Sequence, residues 1–142
     1  MTATTAMPQR VARLALLALA LCTLAACSES FEERCRREAR EFTLKQCPRR
    51  LDECTTLDSM VFTDSPCGFK YCYRASGQLD NDSVYADQES LDEFRDNLVQ
   101  SIRADIGLRQ CKDRGFTFTY IYSSASTGRL LMQHVITPDD YR

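Results

Sequence analysis

Apolar and polar positions alternate along this chain with two distinct periods. Phe31, Cys35, Ala39, Phe42 and Gln46 recur at helical spacing on one face, and Ser30 with Glu33 forms a capping-box pattern that starts a helix there. Its other face is charged, with Glu32/Arg36, Glu33/Arg37 and Glu41/Lys45 spaced i,i+4 and the acid first. Pro48 ends it. Residues 55–63 then alternate as a strand, with Met60 and Phe62 on one side and Leu57 and Val61 on the other. Turn residues fill 64–68, and a second strand, Phe69 to Ala75, sets Phe69/Tyr71/Tyr73 against Lys70/Cys72/Arg74. A polar loop covers 76–83, with a short strand expected at Val84 to Ala86.

A second capping box, Ser90 with Glu93, opens a helix carrying Leu91, Phe94, Leu98, Ile102 and Ile106 on one stripe. Gly107 is its expected terminator, and Cys111 lies just beyond. Phe116, Phe118, Tyr120 and Tyr122 then alternate into a β-hairpin that loops over 123–128 and returns along 129–136. The order α-β-β-α-β-β predicts an α+β domain: an antiparallel sheet of about four strands with both helices on one face.

Ahead of this domain lies an apolar run, Leu14 to Leu24, preceded by Arg10 and Arg13 and closed by Leu24-Ala25-Ala26-Cys27. The run is too short for a membrane span, which needs about twenty apolar residues, and the chain beyond it is densely charged. Basic residues, an apolar stretch and small residues follow one another in the order of a secretory signal. The closing tetrapeptide resembles a bacterial lipobox. The resemblance implies that residues 1–26 are a signal peptide that is cleaved. Residues 27–142 are then a single periplasmic domain, lipid-anchored at Cys27 by a thioether-linked diacylglycerol and further acylation (palmitate) of the new amino terminus. Several chains hold a protein firmly where one is marginal. Ser28, where an aspartate would favour inner-membrane retention in enteric-type bacteria, points to the outer membrane.

That reading reorders the eight cysteines. Cys22 departs with the signal and Cys27 carries lipid, leaving Cys35, Cys47, Cys54, Cys67, Cys72 and Cys111. An even set in an oxidising compartment predicts three disulfides, of undetermined connectivity, stapling the domain. A zinc site would need paired short spacings or histidines, whereas Cys67 and Cys72 have four residues between them and His134 is the sole histidine. No metal or cofactor is expected.

Charge is unevenly placed. Residues 51–100 carry eleven acidic and three basic groups, a segment able to steer a basic partner. Acidity and compartment together argue against nucleic acid as a ligand. Asp80 and Asp82 sit in a loop suggestive of calcium, but Val84, Tyr85 and Leu91 occupy the positions where an EF-hand needs an oxygen ligand, glycine and glutamate. His134 is the one candidate for general acid–base work, flanked at i±2 by Met132 and Ile136, and no nucleophile motif accompanies it. Tyr71, Tyr73, Tyr120 and Tyr122 lie on strand faces that already carry phenylalanine. The leading expectation is a non-enzymatic lipoprotein that binds a protein partner, of immunity or exclusion type. The second is an accessory or structural lipoprotein of an envelope secretion or pilus assembly. An enzyme built around His134 ranks third.

Overall fold

A computed structural model describes residues 29–142; the signal segment, Cys22 and the proposed lipidation site Cys27 lie outside the described residues. Strands are numbered in chain order: β1 (Arg49–Arg50), β2 (Thr55–Asp64), β3 (Cys67–Ala75), β4 (Thr117–Ser124) and β5 (Leu130–Ile136). The helices are α1 (Phe31–Gln46), α2 (Gln88–Ala104), α3 (Arg109–Asp113) and α4 (Pro138–Tyr141).

The α+β class holds, but the sheet differs from the purely antiparallel four strands expected. It has five strands in the order β1-β2-β3-β4-β5, and it is mixed. β2/β3 and β4/β5 are antiparallel hairpins, while β3 and β4 run parallel, from Gly68↔Thr117 to Ala75↔Ser124. The physical reason is the connection. Residues 76–116 contain α2 and are long enough to carry the chain back to the end where β3 began, which makes the next strand parallel. Gly68 is essential to that seam: a Cβ there would lie 1.8 Å from the carbonyl oxygen of Thr117.

Paired residues share a face, so Leu57, Met60, Phe62, Phe69, Tyr71, Tyr73, Phe118, Tyr120, Tyr122, Met132, His134 and Ile136 all point to one side. Leu57 is expected opposite Met60; an irregularity between Leu57 and Ser59 adds a residue to the strand and turns it to the same face. At one end of that side Phe62, Phe69 and Phe116 pack edge-on or tilted, with centroids 5.8–6.0 Å apart. Phe116, Phe118, Ile102 and Ile136 are fully buried, each worth about 1.5–3 kcal/mol of transfer free energy.

α1 lies beside β2. Thr43 Oγ1 donates to the Met60 carbonyl at 2.8 Å and accepts from the Met60 N–H at 2.9 Å, so the helix supplies the hydrogen bonds a neighbouring strand would make. Arg36 sets its guanidinium 5.0 Å from the Phe62 ring centroid and pairs with Asp64. The Glu41–Lys45 pair forms at 2.9 Å.

α2 starts one turn before Ser90. Asp87 is its N-cap and accepts from the Ser90 N–H at 3.2 Å, because an Asx carboxylate at that place satisfies the exposed first-turn donor. Its buried stripe centres on Val99 and Ile102, whereas Ile106 is 85% exposed. The helix has already ended at Ala104, so Ile106 no longer follows its periodicity. Termination comes from Lys112, not Gly107: Lys112 Nζ donates to the carbonyls of Ile102, Arg103 and Asp105 at 2.8–2.9 Å. A cation on the last carbonyls of a helix is favoured by its dipole. The segment expected as a strand at Val84 to Ala86 belongs to a 3₁₀ turn, Asp82–Tyr85, opened by Asn81 accepting from the Ser83 N–H at 3.0 Å. α4, opened by a Thr137/Asp140 capping box, packs on α2 through Arg95–Asp140 (2.6 Å). It also seats the Tyr141 hydroxyl on the Phe116 carbonyl at 2.7 Å.

Cys35, Cys47, Cys54, Cys67, Cys72 and Cys111 are free thiols, so the structure does not display the three expected bridges. They fall in separate regions: Cys35 and Cys111 are buried between α1 and α3, while Cys72 lies on the opposite side of the sheet from the tyrosines, across from Ser59 and Ile121.

Candidate functional site

The interior side of the sheet is phenylalanine at one end and tyrosine at the other. Alternation on β3 and β4, brought into register by the parallel seam, aligns Tyr71, Tyr120, Tyr73 and Tyr122 into a ladder of stacked rings. Centroids are 5.2 Å apart for Tyr71/Tyr120, 6.4 Å for Tyr73/Tyr120 and 4.7 Å for Tyr73/Tyr122. All four are half-buried, and burial pushes each phenol above its ordinary pKa. They remain protonated throughout the physiological range.

Where the ladder ends at Tyr122, the sheet, the start of α2 and the polar loops after β1 and β3 enclose a cleft of about 370 Å³. Its walls are mainly apolar: Leu51, Leu79, Val84, Leu91, Phe94, Tyr122 and Met132, with Tyr85, Asp52, Thr55 and Ser90 supplying polar groups. Phe94 stands nearly perpendicular to Tyr122, with centroids 5.8 Å apart. Val84 and Leu51, on the cleft rim, expose 42% and 49% of their surface. Asp52 accepts from the N–H groups of Cys54 and Thr55, both at 2.8 Å, and these bonds, that of Cys54 foremost, hold its carboxyl below the ordinary range. Asp52 thus shapes the loop at the cleft wall. A cleft of this size and polarity suits an apolar group presented by a ligand or partner.

His134 lies next to this cleft, with its ring 5.8 Å from Phe94. Its Nε2 is buried without a hydrogen-bond partner. Burial first, then the charge of Arg95, depress its pKa, opposed by Asp92. The sequence singled out this histidine for acid–base work. The fold packs it against an aromatic ring and brings it no hydrogen-bonded carboxylate.

The acidic middle segment is largely engaged within the fold. Asp58 pairs with Arg74 at 2.9 Å, Asp64 with Arg36 and Asp82 with Arg129, while Asp80 accepts the Ser126 N–H at 2.9 Å. Asp80 and Asp82 therefore tie the loop after β3 to the β4–β5 turn. Among the described residues no group of three His, Cys, Asp or Glu side chains is placed to hold a metal ion. Glu89, Asp92, Glu93 and Asp96 of α2 are exposed and form an acidic surface beside the cleft.

Sequence reasoning named Tyr122, His134, Phe94 and Leu91 but did not bring them to one place. It passed over Leu51 and Leu79, single aliphatic residues inside otherwise polar loops, and placed Val84 only in an expected strand and an unfilled calcium-loop position. No described helix is long and apolar enough to cross a membrane.

A "putative secreted protein" of Pseudomonas aeruginosa, known from its crystal structure, superposes with a TM-score of 0.63 over 83% of this chain and 100% of that one, at 18% sequence identity. At that identity the likeness concerns the fold. No curated protein matches the chain. Residues 30–132 match a family described as "Domain of unknown function", DUF8479; the chain belongs to that family.

Proposed function

We propose that this protein is a lipoprotein of the bacterial envelope, anchored through Cys27 and facing the periplasm, whose domain binds a protein partner through the cleft at the end of the tyrosine ladder. The observation that carries the reading is a mostly apolar cleft of about 370 Å³ whose rim exposes Leu51 and Val84. Such a surface anchors aromatic or aliphatic side chains of a partner. The acidic surface of α2, beside it, favours a partner with a basic rim. The Leu24-Ala25-Ala26-Cys27 signal supports the anchoring, and α1 starts at Phe31, only a few residues after Cys27. A domain so close to its lipid would work near the membrane surface, as an immunity or exclusion protein must.

Two experiments test this. Metabolic labelling with a palmitate analogue should tag the wild-type chain and leave Cys27→Ser unlabelled and released from the membrane fraction. Photo-crosslinking residues placed at Leu51 or Val84 should capture one defined partner in intact cells. That capture should be lost on Leu91→Asp and should not occur from Ser59 on the far side of the sheet. Equal capture from both sides, or no loss with Leu91→Asp, would remove the cleft from the proposal.

A further inference from the structure

The buried contact between the first helix and the short helix ahead of β4 places two thiols together. Arg34 of α1 donates to Gln110 of α3 at 3.3 Å, fixing the two turns side by side. The next residue on each helix is a cysteine, and both are buried, Cys35 with 4% and Cys111 with 7% of its surface exposed. Each buried thiol is an electrostatic neighbour of the other. A bond between them would set the sulfur atoms about 2.05 Å apart.

We propose that Cys35 and Cys111 are a disulfide pair that fastens α1 to α3 when the protein meets a disulfide donor. The donor is a thiol oxidant of the disulfide class, such as oxidised glutathione or the disulfide of a thiol oxidase. One cysteine thiolate attacks a donor sulfur, giving a mixed disulfide and releasing the first donor thiolate. The second cysteine then attacks the sulfur of the first, forming Cys35–Cys111 and releasing the second donor thiolate. The two thiol protons end on the donor, which leaves reduced by two electrons.

Cys67, the first residue of β3, is the competing neighbour. Its charge is felt at both buried thiols, but it is half-exposed where they are buried. The pairing assigned here leaves it as a thiol. Burial pushes Cys111 up to about 12 and raises Cys35, so both are poor nucleophiles in place. Oxidation therefore proceeds through local opening of the five-residue α3 and is slow in the folded protein. A bridge between positions so far apart in sequence restricts the unfolded chain strongly.

That the bridge forms in the cell rests on the envelope placement proposed above; that the two sulfurs pair does not. The full chain, purified in detergent, is reduced, oxidised with oxidised glutathione and capped with N-ethylmaleimide. It is then mapped by mass spectrometry without reduction. Digestion uses a glutamyl endopeptidase, because trypsin would strand Cys35 on a dipeptide between Arg34 and Arg36. The expected result is a linked peptide pair containing Cys35 and Cys111, absent from Cys35→Ser and Cys111→Ser and retained in Cys67→Ser. Reduction of the oxidised wild type should lower its melting temperature by on the order of 10 °C. Capping of both Cys35 and Cys111 after oxidation, or a dominant pair that includes Cys67, overturns the pairing. A separate acid-quenched alkylation of whole cells reads the compartment: a pair that forms in the purified chain but stays reduced in cells overturns the envelope placement and leaves the pairing intact.

Discussion

The parallel seam between β3 and β4 gives the sharpest test of the fold. In Gly68→Ala the new Cβ would meet the Thr117 carbonyl oxygen at 1.8 Å and its carbon and nitrogen at 2.7 Å, where ordinary contact begins at 3.4 Å. The obstacle is backbone, so no side chain can rotate away, and the strands must separate locally by more than an ångström. Two ladder hydrogen bonds flanking the contact would be lost, at about 1 kcal/mol each. Overpacking adds roughly 1–3 kcal/mol as the neighbouring Phe69–Phe116 contact and the buried Phe118 shift. The expected loss is therefore about 3–5 kcal/mol, a large share of the stability of a domain this size. In equilibrium urea unfolding with a slope of about 2 kcal/mol/M, the midpoint should fall by about 2 M. Gly107→Ala is the control, since its Cβ would meet only the movable Asp105 carboxylate at 3.1 Å, and its midpoint should stay close to wild type. A Gly68→Ala midpoint within about 0.3 M of wild type, at unchanged slope, would refute the close approach and with it the seam.

Other outcomes follow from single contacts. Thr43→Val removes both hydrogen bonds to Met60 and should cost about 1–2 kcal/mol by thermal or urea unfolding; a neutral result would mean that α1 does not complete the edge of β2. Lys112→Met strips the cation from three terminal carbonyls of α2. It should destabilise by about 1–2 kcal/mol and raise amide exchange at residues 101–104 selectively. His134 has a folded pKa below its unfolded value, so between those two values the unfolded chain binds the extra proton. Its contribution to stability is complete above about pH 7 and is lost as pH falls through about 6.5 toward the folded value. The slope of unfolding free energy against pH in that window should flatten in His134→Phe, and an unchanged slope would show that the imidazole is not held neutral.

Much of the fold is legible in local pattern. Charged and apolar positions at helical spacing give α1 and most of α2, and period-two alternation gives the four long strands. The chain also shows directly that the tyrosines share faces with phenylalanines. What local pattern misses has a common cause. Caps and ends were assigned by nearest motif, Ser90 and Gly107, whereas Asp87 lies one turn earlier and Lys112 reaches back from a different helix. The acidic segment reads as a uniform surface, although Arg36, Arg74 and Arg129 approach from elsewhere and take Asp64, Asp58 and Asp82.

Local pattern carries the α+β class, the alternation of β3, β4 and β5 and the even set of cysteines, because side-chain period and count are properties of neighbours along the chain; the irregularity that turns Leu57 to the face of Met60 is not among them. The sequence also supplied the lipobox-like signal on which the proposed anchoring rests. Tertiary packing alone makes β3 and β4 parallel, stacks Tyr71, Tyr120, Tyr73 and Tyr122, and buries Cys35 and Cys111 on neighbouring helices. Each of these joins residues tens of positions apart. The direction of a crossover and the partner of a buried thiol follow from how whole elements pack, and no local window of residues carries that information.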